Sequence, residues 1–296
     1  MSPDKARLLR IATYASVITA VVLIASKLVA WLLTGSVSVL ASLVDSAMDA
    51  GASTVNLIAV HYALQPADAE HRFGHGKAES LAGLGQATFI AGSAVFLVLH
   101  AIDRILHPQP LTQIGVGVLV MVFAIAATMV LLTIQRYVIK RTQSTAVRAD
   151  ALHYATDVLT NAATLVALVL ATMGWPGLDP VFALLIAAYI LFSAWRIGHE
   201  AFHLLIDREL PDDERRRIET IALSDARVHG IHGLRTRLSG RTPIIQLHLE
   251  LDDNLSLVQA HAIATDVSQS IRAQFPDADI VIHQDPFSLG DESRTD

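Results

Sequence analysis

Two pairs of residues in this chain stand where charged side chains are costly. In "LVDSAMDAGAS", Asp45 and Asp49 are four residues apart, and in "DALHYATDVLTN", His153 and Asp157 have the same spacing. On an α-helix that spacing puts both members of a pair on one face. Both pairs interrupt long apolar runs, and an ionised Asp at bilayer depth costs at least ~2.5–3.5 kcal/mol on insertion scales. One imidazole and three carboxylates projecting from two helices make a four-ligand tetrahedral set suited to Zn2+ or a similar ion. Taken singly, each residue reads equally well as a polar group facing water near a span end or bonded to backbone. The matched spacing on two separate runs favours a shared ion.

Charge arithmetic turns this set into a mechanism. Three carboxylates and a neutral His around a divalent ion sum to −1, whereas the same site without metal carries −3 and must take up protons. Ligands have to be deprotonated to coordinate, so metal binding displaces those protons. A site that opens alternately to each side would then move metal one way and protons the other. His153 is the natural member to exchange a proton near neutral pH, its ordinary pKa being ~6.5.

The elements that position these residues are long and apolar. The chain has 296 residues, of which 52% are hydrophobic and only 17% charged, with no cysteine and a mean hydropathy of +0.46. Soluble domains carry about 25% charge, so an ordinary cytosolic protein, a disordered tail and a secreted disulfide scaffold are all disfavoured. The absence of cysteine removes thiolate catalysis and thiolate metal ligation. A net charge of −6 argues against a nucleic-acid partner. The charge is unevenly placed: residues 1–206 hold 12 Lys/Arg against 11 Asp/Glu, and residues 207–296 hold 10 against 17.

The near-neutral part, residues 1–206, resolves into six stretches: Ile11–Leu33, Val37–His61, Leu81–Leu106, Ile114–Ile134, Ala151–Met173 and Val181–Leu205. Each has about 20 residues or more, enough to cross a hydrocarbon core of roughly 30 Å. The first is too long for a signal peptide and has no small-residue cleavage site. Lys and Arg fall on the N-terminus and on the segments 64–80 and 135–148, and are absent from the Thr34–Ser36 turn, residues 107–113 and Gly174–Pro180. By the positive-inside rule, both termini are expected in the cytoplasm.

Residues 207–290 read as a small soluble domain, followed by a tail at 291–296. A polar amphipathic helix over Pro211–Leu223 precedes two strands, "GIHGLRTRLSG" and "PIIQLHLELDD", joined at Ser239–Gly240. The second alternates through Ile245, Leu247, Leu249 and Leu251. A helix over "SLVQAHAIATDVSQSIRAQF" and a strand "ADIVIHQDP" complete an αββαβ order, an open-faced α+β sandwich like part of a ferredoxin-like fold.

Further polar groups stand outside the paired set. Asp68, His71 and His75 share the loop between the second and third stretches, where such residues are ordinarily just solvated. His232, His248, His261, His283 and Asp285 come from different elements of the soluble domain, with His283 and Asp285 on one face of the last strand. Lys77 and Asp207 flank the membrane region, and Lys27 lies inside the first stretch, where snorkelling to an interface is the simplest account. His61, His100 and His107 lie near stretch ends and read as interfacial. His199–Glu200–His203 matches the H-E-x-x-H pattern of zinc proteases, a runner-up reading as a membrane metalloprotease that needs a third ligand and a wet cleft. A membrane-tethered metal sensor is a further alternative, although a sensor has no need of charges at membrane depth.

The stretches "TGSVSVLASLVDSAMDAGAS", "LQPADAEHRFGHGKAESLA", "RTQSTAVRADALHYATDVLTN", "DPVFALLIAAYIL", "LRTRLSG", "VQAHAIATDV" and "VIHQDPFS" together resemble the cation diffusion facilitator family, close to its bacterial zinc and ferrous-iron efflux pumps. The resemblance implies six transmembrane helices and a cytoplasmic domain with a metallochaperone-like fold, assembled as a homodimer in the cytoplasmic membrane. It implies a transport site at Asp45, Asp49, His153 and Asp157, and a loop metal site at Asp68, His71 and His75. A binuclear zinc site is implied at His232, His248, His261, His283 and Asp285, with Gln284 lending a contact from the neighbouring subunit. Lys77 and Asp207 would form a salt-bridged hinge. The implied activity is proton-coupled efflux of Zn2+, with Cd2+ and Fe2+ as further candidate substrates.

Overall fold

The computed structural model describes residues 3–35, 37–106, 116–173 and 179–289. Ser36, residues 107–113 and most of Gly174–Pro180, expected as turns, lie outside them, as do His107 and the tail at 291–296. Contacts within the chain group into two compact units, one of residues 2–66 and 77–202, the other of 67–76 and 203–296.

The first unit is helical. Six long helices run α1 (Pro3–Thr34), α2 (Val37–Ala63), α3 (Lys77–Leu106), α4 (Val116–Thr142), α5 (Thr145–Thr172) and α6 (Asp179–Leu205). Four of them, α1, α3, α4 and α6, are long and apolar enough by composition to cross a membrane. The other two, α2 and α5, carry the Asp45/Asp49 and His153/Asp157 pairs. Several helices extend beyond the apolar stretches read from sequence. The segment 135–148, expected as a loop, is helical except at Gln143 and Ser144. Hydropathy marks where a helix leaves an apolar slab, whereas the helix itself ends where the backbone turns. Gln143 does this with φ of 54°, and the Ser144 hydroxyl then accepts the Val147 N–H at 3.1 Å to start α5.

These helices are polar inward. On α2, Ser46, Asp49, Ser53 and Asn56 are buried while Val44, Met48, Val55 and Ile58 are exposed. Such an arrangement suits a bundle whose outer surface meets lipid. Its tightest polar knot centres on Asp150 of α5, which is 1% exposed. Four side chains from four other helices donate to this carboxylate: Ser16 of α1 at 2.5 Å, Ser53 of α2 at 3.4 Å, Gln86 of α3 at 3.0 Å and Gln135 of α4 at 2.7 Å. Tyr154, one turn along α5, reaches the Ser53 hydroxyl at 2.9 Å and donates to the Ser16 carbonyl at 3.3 Å. Sequence reasoning missed Asp150. Apolar contact supplies the rest of the packing, with Ala87, Ile90 and Ala94 of α3 meeting Leu152 of α5 and Ile190 and Ala194 of α6.

The second unit is a small α+β domain. Its elements are α7 (Asp212–Ala222), β1 (Gly230–Ser239), β2 (Thr242–Leu251), α8 (Leu257–Gln274) and β3 (Asp279–Pro286). The sheet order is β1-β2-β3, with β1 antiparallel and β3 parallel to β2. Ile245, Leu247, Leu249 and Leu251 all face the core, as their alternation requires, against Ile218 of α7 and Ile263, Val267 and Ile271 of α8. A capping box, Ser256 with Gln259, starts α8. The loop 67–76 belongs to this unit because it docks on the β1–β2 turn. Ser239 Oγ donates to the Phe73 carbonyl at 3.1 Å, and Arg237 lies over the Phe73 ring at 5.1 Å. Gly76 and Gly240 approach so closely that a Cβ on Gly76 would sit 2.6 Å from Gly240 Cα.

The knot at Asp150 gives a test. Replacing Asp150 by Ala removes the acceptor shared by four buried side chains and should cost roughly 3–5 kcal/mol, read as a lowered melting temperature in detergent. A melt unchanged from wild type would show that these bonds hold nothing together.

Candidate metal sites

Three groups of ligating side chains are assembled among the described residues. The first lies inside the helical unit. One ligand atom each from Asp49, His153 and Asp157 fall within 4.8 Å of one another. Asp49 meets the His153/Asp157 pair because α2 and α5 present polar faces to each other. His153 Nε2 lies 2.9 Å from Asp49 Oδ1. Among the described residues this buried nitrogen has no well-aligned hydrogen bond, only this close approach to the carboxylate. A ring nitrogen aimed among carboxylates without an aligned hydrogen bond is what a cation between them would resolve. Asp45 stands one turn before Asp49 on α2, exposed and outside this group of three. It interacts electrostatically with both Asp49 and His153.

Lys27, expected to snorkel, does not. It is buried, and its Nζ donates to the Ser46 hydroxyl at 2.6 Å and the Ser42 carbonyl at 3.1 Å. A polar stripe on the neighbouring helix takes up the ammonium more directly than a distant interface.

The loop group is built by a turn. Asp68 Oδ1 accepts the backbone N–H groups of Glu70 at 2.9 Å and His71 at 2.6 Å. The bond from the His71 N–H is the main cause holding the exposed Asp68 carboxyl below its ordinary range. His75 Nε2 then lies 3.2 Å from Asp68 Oδ2 and His71 Nδ1 3.4 Å from Oδ1, with the two rings 4.7 Å apart. Spacing alone favoured solvated residues here, but the turn gathers all three donors on one side.

The third group is set by strand register. His232, His248 and His283 stand directly abreast on β1, β2 and β3. Asp285 Oδ2 lies 2.7 Å from His248 Nδ1 and 3.3 Å from His232 Nε2, while Oδ1 lies 2.8 Å from His283 Nδ1. One carboxylate thus faces imidazoles with both oxygens, a donor set that fits two bridged cations. His248 and His283 bring two ring nitrogens within 3.3 Å of each other, a contact a shared cation would also relieve. Burial pushes the Asp285 carboxyl up, but the His248 hydrogen bond and the charges of His283, His248 and His232 outweigh it, leaving the carboxyl below its ordinary value. His261 is not brought to this cluster within one chain. It lies on α8 and lines a surface hollow of about 230 Å³ together with Gln284.

One partner of this site was missed from sequence. Glu250, 1% exposed, holds His232 Nδ1 at 3.0 Å and so fixes that ring. Gly230 opposite leaves it room, since a Cβ there would sit 2.3 Å from Glu250 Oε2. The available signal was a Glu two residues beyond His248, hence on the same face of β2 and in register with Asp285.

Among the flanking residues, Lys77 opens α3, and Asp207, at φ 60°, accepts a bond from Arg237 at 3.2 Å. His61 lies in the last turn of α2 and is exposed. His100 is in α3, with its side chain outside the description. The H-E-x-x-H pattern does not form a catalytic centre. Glu200 is ion-paired to Arg148 of α5, and His199 stacks on Trp195. A carboxylate occupied by a guanidinium is a poor general base.

Comparison with known proteins decides the family. The model of the cation efflux transmembrane domain matches residues 13–206, and that of the cation efflux protein cytoplasmic domain matches 210–287. The chain belongs to the cation efflux family. Among its relatives, the cation-efflux pump FieF of Citrobacter koseri is 53% identical over 98% of this chain and 96% of its own. The FieF proteins of Klebsiella pneumoniae (53%, covering 98% and 96%) and Serratia proteamaculans (53%, covering 99% and 98%) are similar to the same degree. A solved chain of CzrB in its Zn form is 25% identical and covers 28% of this chain and 94% of that one, with a TM-score of 0.27. Membership makes the chain a transporter of cations rather than an enzyme, which removes the metalloprotease reading.

The Glu250 contact is open to test. Glu250→Gln in the full chain should weaken Zn2+ binding at the sheet site about 10–100-fold, as loss of an outer partner of a ligating His does elsewhere. Zinc titration by calorimetry reads this directly, and an unchanged isotherm would exclude a role for Glu250 in orienting His232.

Proposed function

We propose that this chain exports Zn2+, with Cd2+ and Fe2+ as further substrates, from the cytoplasm across a bacterial inner membrane in exchange for protons. The observation that carries this reading is the convergence of Asp49, His153 and Asp157 inside the helical unit, with the buried His153 Nε2 2.9 Å from Asp49 Oδ1. Asp45 is the fourth ligand: it shares a face of α2 with Asp49 and already feels His153 electrostatically. Borderline imidazole with hard carboxylates suits Zn2+ and Fe2+ more than Mg2+ or Ca2+, which prefer oxygen alone.

Cytoplasmic metal is loaded by the three carboxylates as their protons leave. The helices then rock, and protons arriving from outside displace the ion. Both termini and the Lys/Arg-bearing loops face the cytoplasm, in line with the positive-inside rule. Residues 1–206 transport, residues 207–290 bind metal and dimerise, and 291–296 form a tail. Lys77 and Asp207, at the junctions between them, act as a hinge pair. In the sheet, His232, His248, His283 and Asp285 hold zinc as a structural or regulatory ion, completed by His261 and Gln284 of the second copy in a homodimer. Asp68, His71 and His75 form a weaker loop site. The names of the FieF relatives support efflux, and the charges at membrane depth speak against a sensor that never moves its ion.

The test is Zn2+ uptake into proteoliposomes under an imposed pH gradient. Native flux should follow the gradient and fall at least a hundredfold in Asp49→Ala, while Glu200→Ala keeps its flux. Flux indifferent to the gradient would contradict proton coupling. Zinc bound but never transported would favour the sensor.

A further inference from the structure

Among the buried charged residues of the helical unit is Lys27, and its position is specific. Its Nζ is held by the Ser42 carbonyl and the Ser46 hydroxyl. Positions 42, 45, 46 and 49 form one stripe on α2, so the ammonium docks on the same helix face that carries Asp45 and Asp49. Both of these acceptors are neutral, so the positive charge is tethered beside the site without being cancelled by a direct ion pair through these bonds. It nonetheless interacts electrostatically with Asp45 on its own side and with Asp157 across on α5. Other titratable groups around the site are Asp49, His153, Asp150 and Tyr154.

We propose that Lys27 is a tethered counter-cation of the transport site, which weakens the hold of its carboxylates on a divalent ion and so speeds release. The inference rests on the reading of Asp45, Asp49, His153 and Asp157 as that site. With Lys27 counted, three carboxylates, a neutral His, a divalent ion and one ammonium sum to zero rather than −1. These ligands, the ion and the ammonium then balance, which lowers the cost of holding the ion among apolar helices. The empty site carries −2 rather than −3, so the fixed ammonium also eases its return. Lys27 is a positioning residue and not a ligand, since an ammonium offers no lone pair to a metal.

The sign of the effect separates this role from a structural one. Removing a positive charge near a cation site tightens cation binding, by roughly five- to fiftyfold for a pair in partly screened surroundings, whereas disrupting the packing loosens it. In steady-state Zn2+ uptake by proteoliposomes, Lys27→Met and Lys27→Gln should each lower KM by that factor and lower kcat as release slows. Lys27→Arg, which keeps the charge, should restore both towards native values. A KM unchanged or raised in the neutral variants, or an Arg variant no better than Met, overturns the proposal. So does failure of both neutral variants to fold, which would make Lys27 a packing tether. Absence of native flux, or flux that survives Asp49→Ala, would instead overturn the reading of the site, and this inference with it.

Discussion

Carboxylates surrounded by apolar helices must be satisfied by whatever they face, and this requirement organises the helical unit. Two of its buried acidic centres, both involving α5, meet the requirement in opposite ways. Asp150 faces hydroxyl and amide donors from α1, α2, α3 and α4, and every one of those bonds is a neutral group turned towards a charge. Asp49 and Asp157 face each other and one imidazole, with no comparable set of donors among the described residues. A carboxylate saturated by neutral donors has little further affinity for a cation and serves to lock helices together. Acids gathered without donors need protons or metal, and the proposed transport exchanges the two. The two centres lie on the same helix less than two turns apart. The locked one therefore gives a fixed reference from which α5 presents His153 and Asp157.

The soluble unit reaches a metal site by another route. Here no membrane penalty forces the ligands together; strand register does. Three histidines stand abreast across β1, β2 and β3, and Asp285, two residues beyond His283, turns both oxygens back among them. The His232 ring is oriented by a buried acid, Glu250, on the same face of β2 as His248. The loop carrying Asp68, His71 and His75 joins this unit through Phe73 and the close approach of Gly76 to Gly240. Two of the three ligand groups are thus carried by one compact unit, and the third by the helices.

Much of this was legible from residue spacing. The i, i+4 pairs identified the helices that carry the charges, and the alternation from Ile245 to Leu251 identified the core strand. What spacing conveys is which face of its own element a residue occupies. It does not convey what stands opposite. Asp150 was therefore overlooked, because its four partners come from four other helices. Glu250 was overlooked because its partner lies on the next strand, and Lys27 was sent to an interface because Ser42 and Ser46 belong to a different helix. His261 shows the converse: a ligand type at a plausible place that one chain does not bring to the cluster. The helices also outran the apolar stretches, since a helix ends at a backbone turn such as Gln143 and not where hydropathy falls.

The central claim is that one imidazole and carboxylates from α2 and α5 share a transported ion. Zinc K-edge X-ray absorption on the full chain carrying His71→Ala, His75→Ala, His232→Ala, His248→Ala and His283→Ala reads that set most directly, because the other two groups are then dismantled. The account predicts one bound zinc per chain with a single imidazole and carboxylate oxygens at ~2.0–2.2 Å. A spectrum requiring two or more imidazoles, or a chain that retains no zinc, would contradict it.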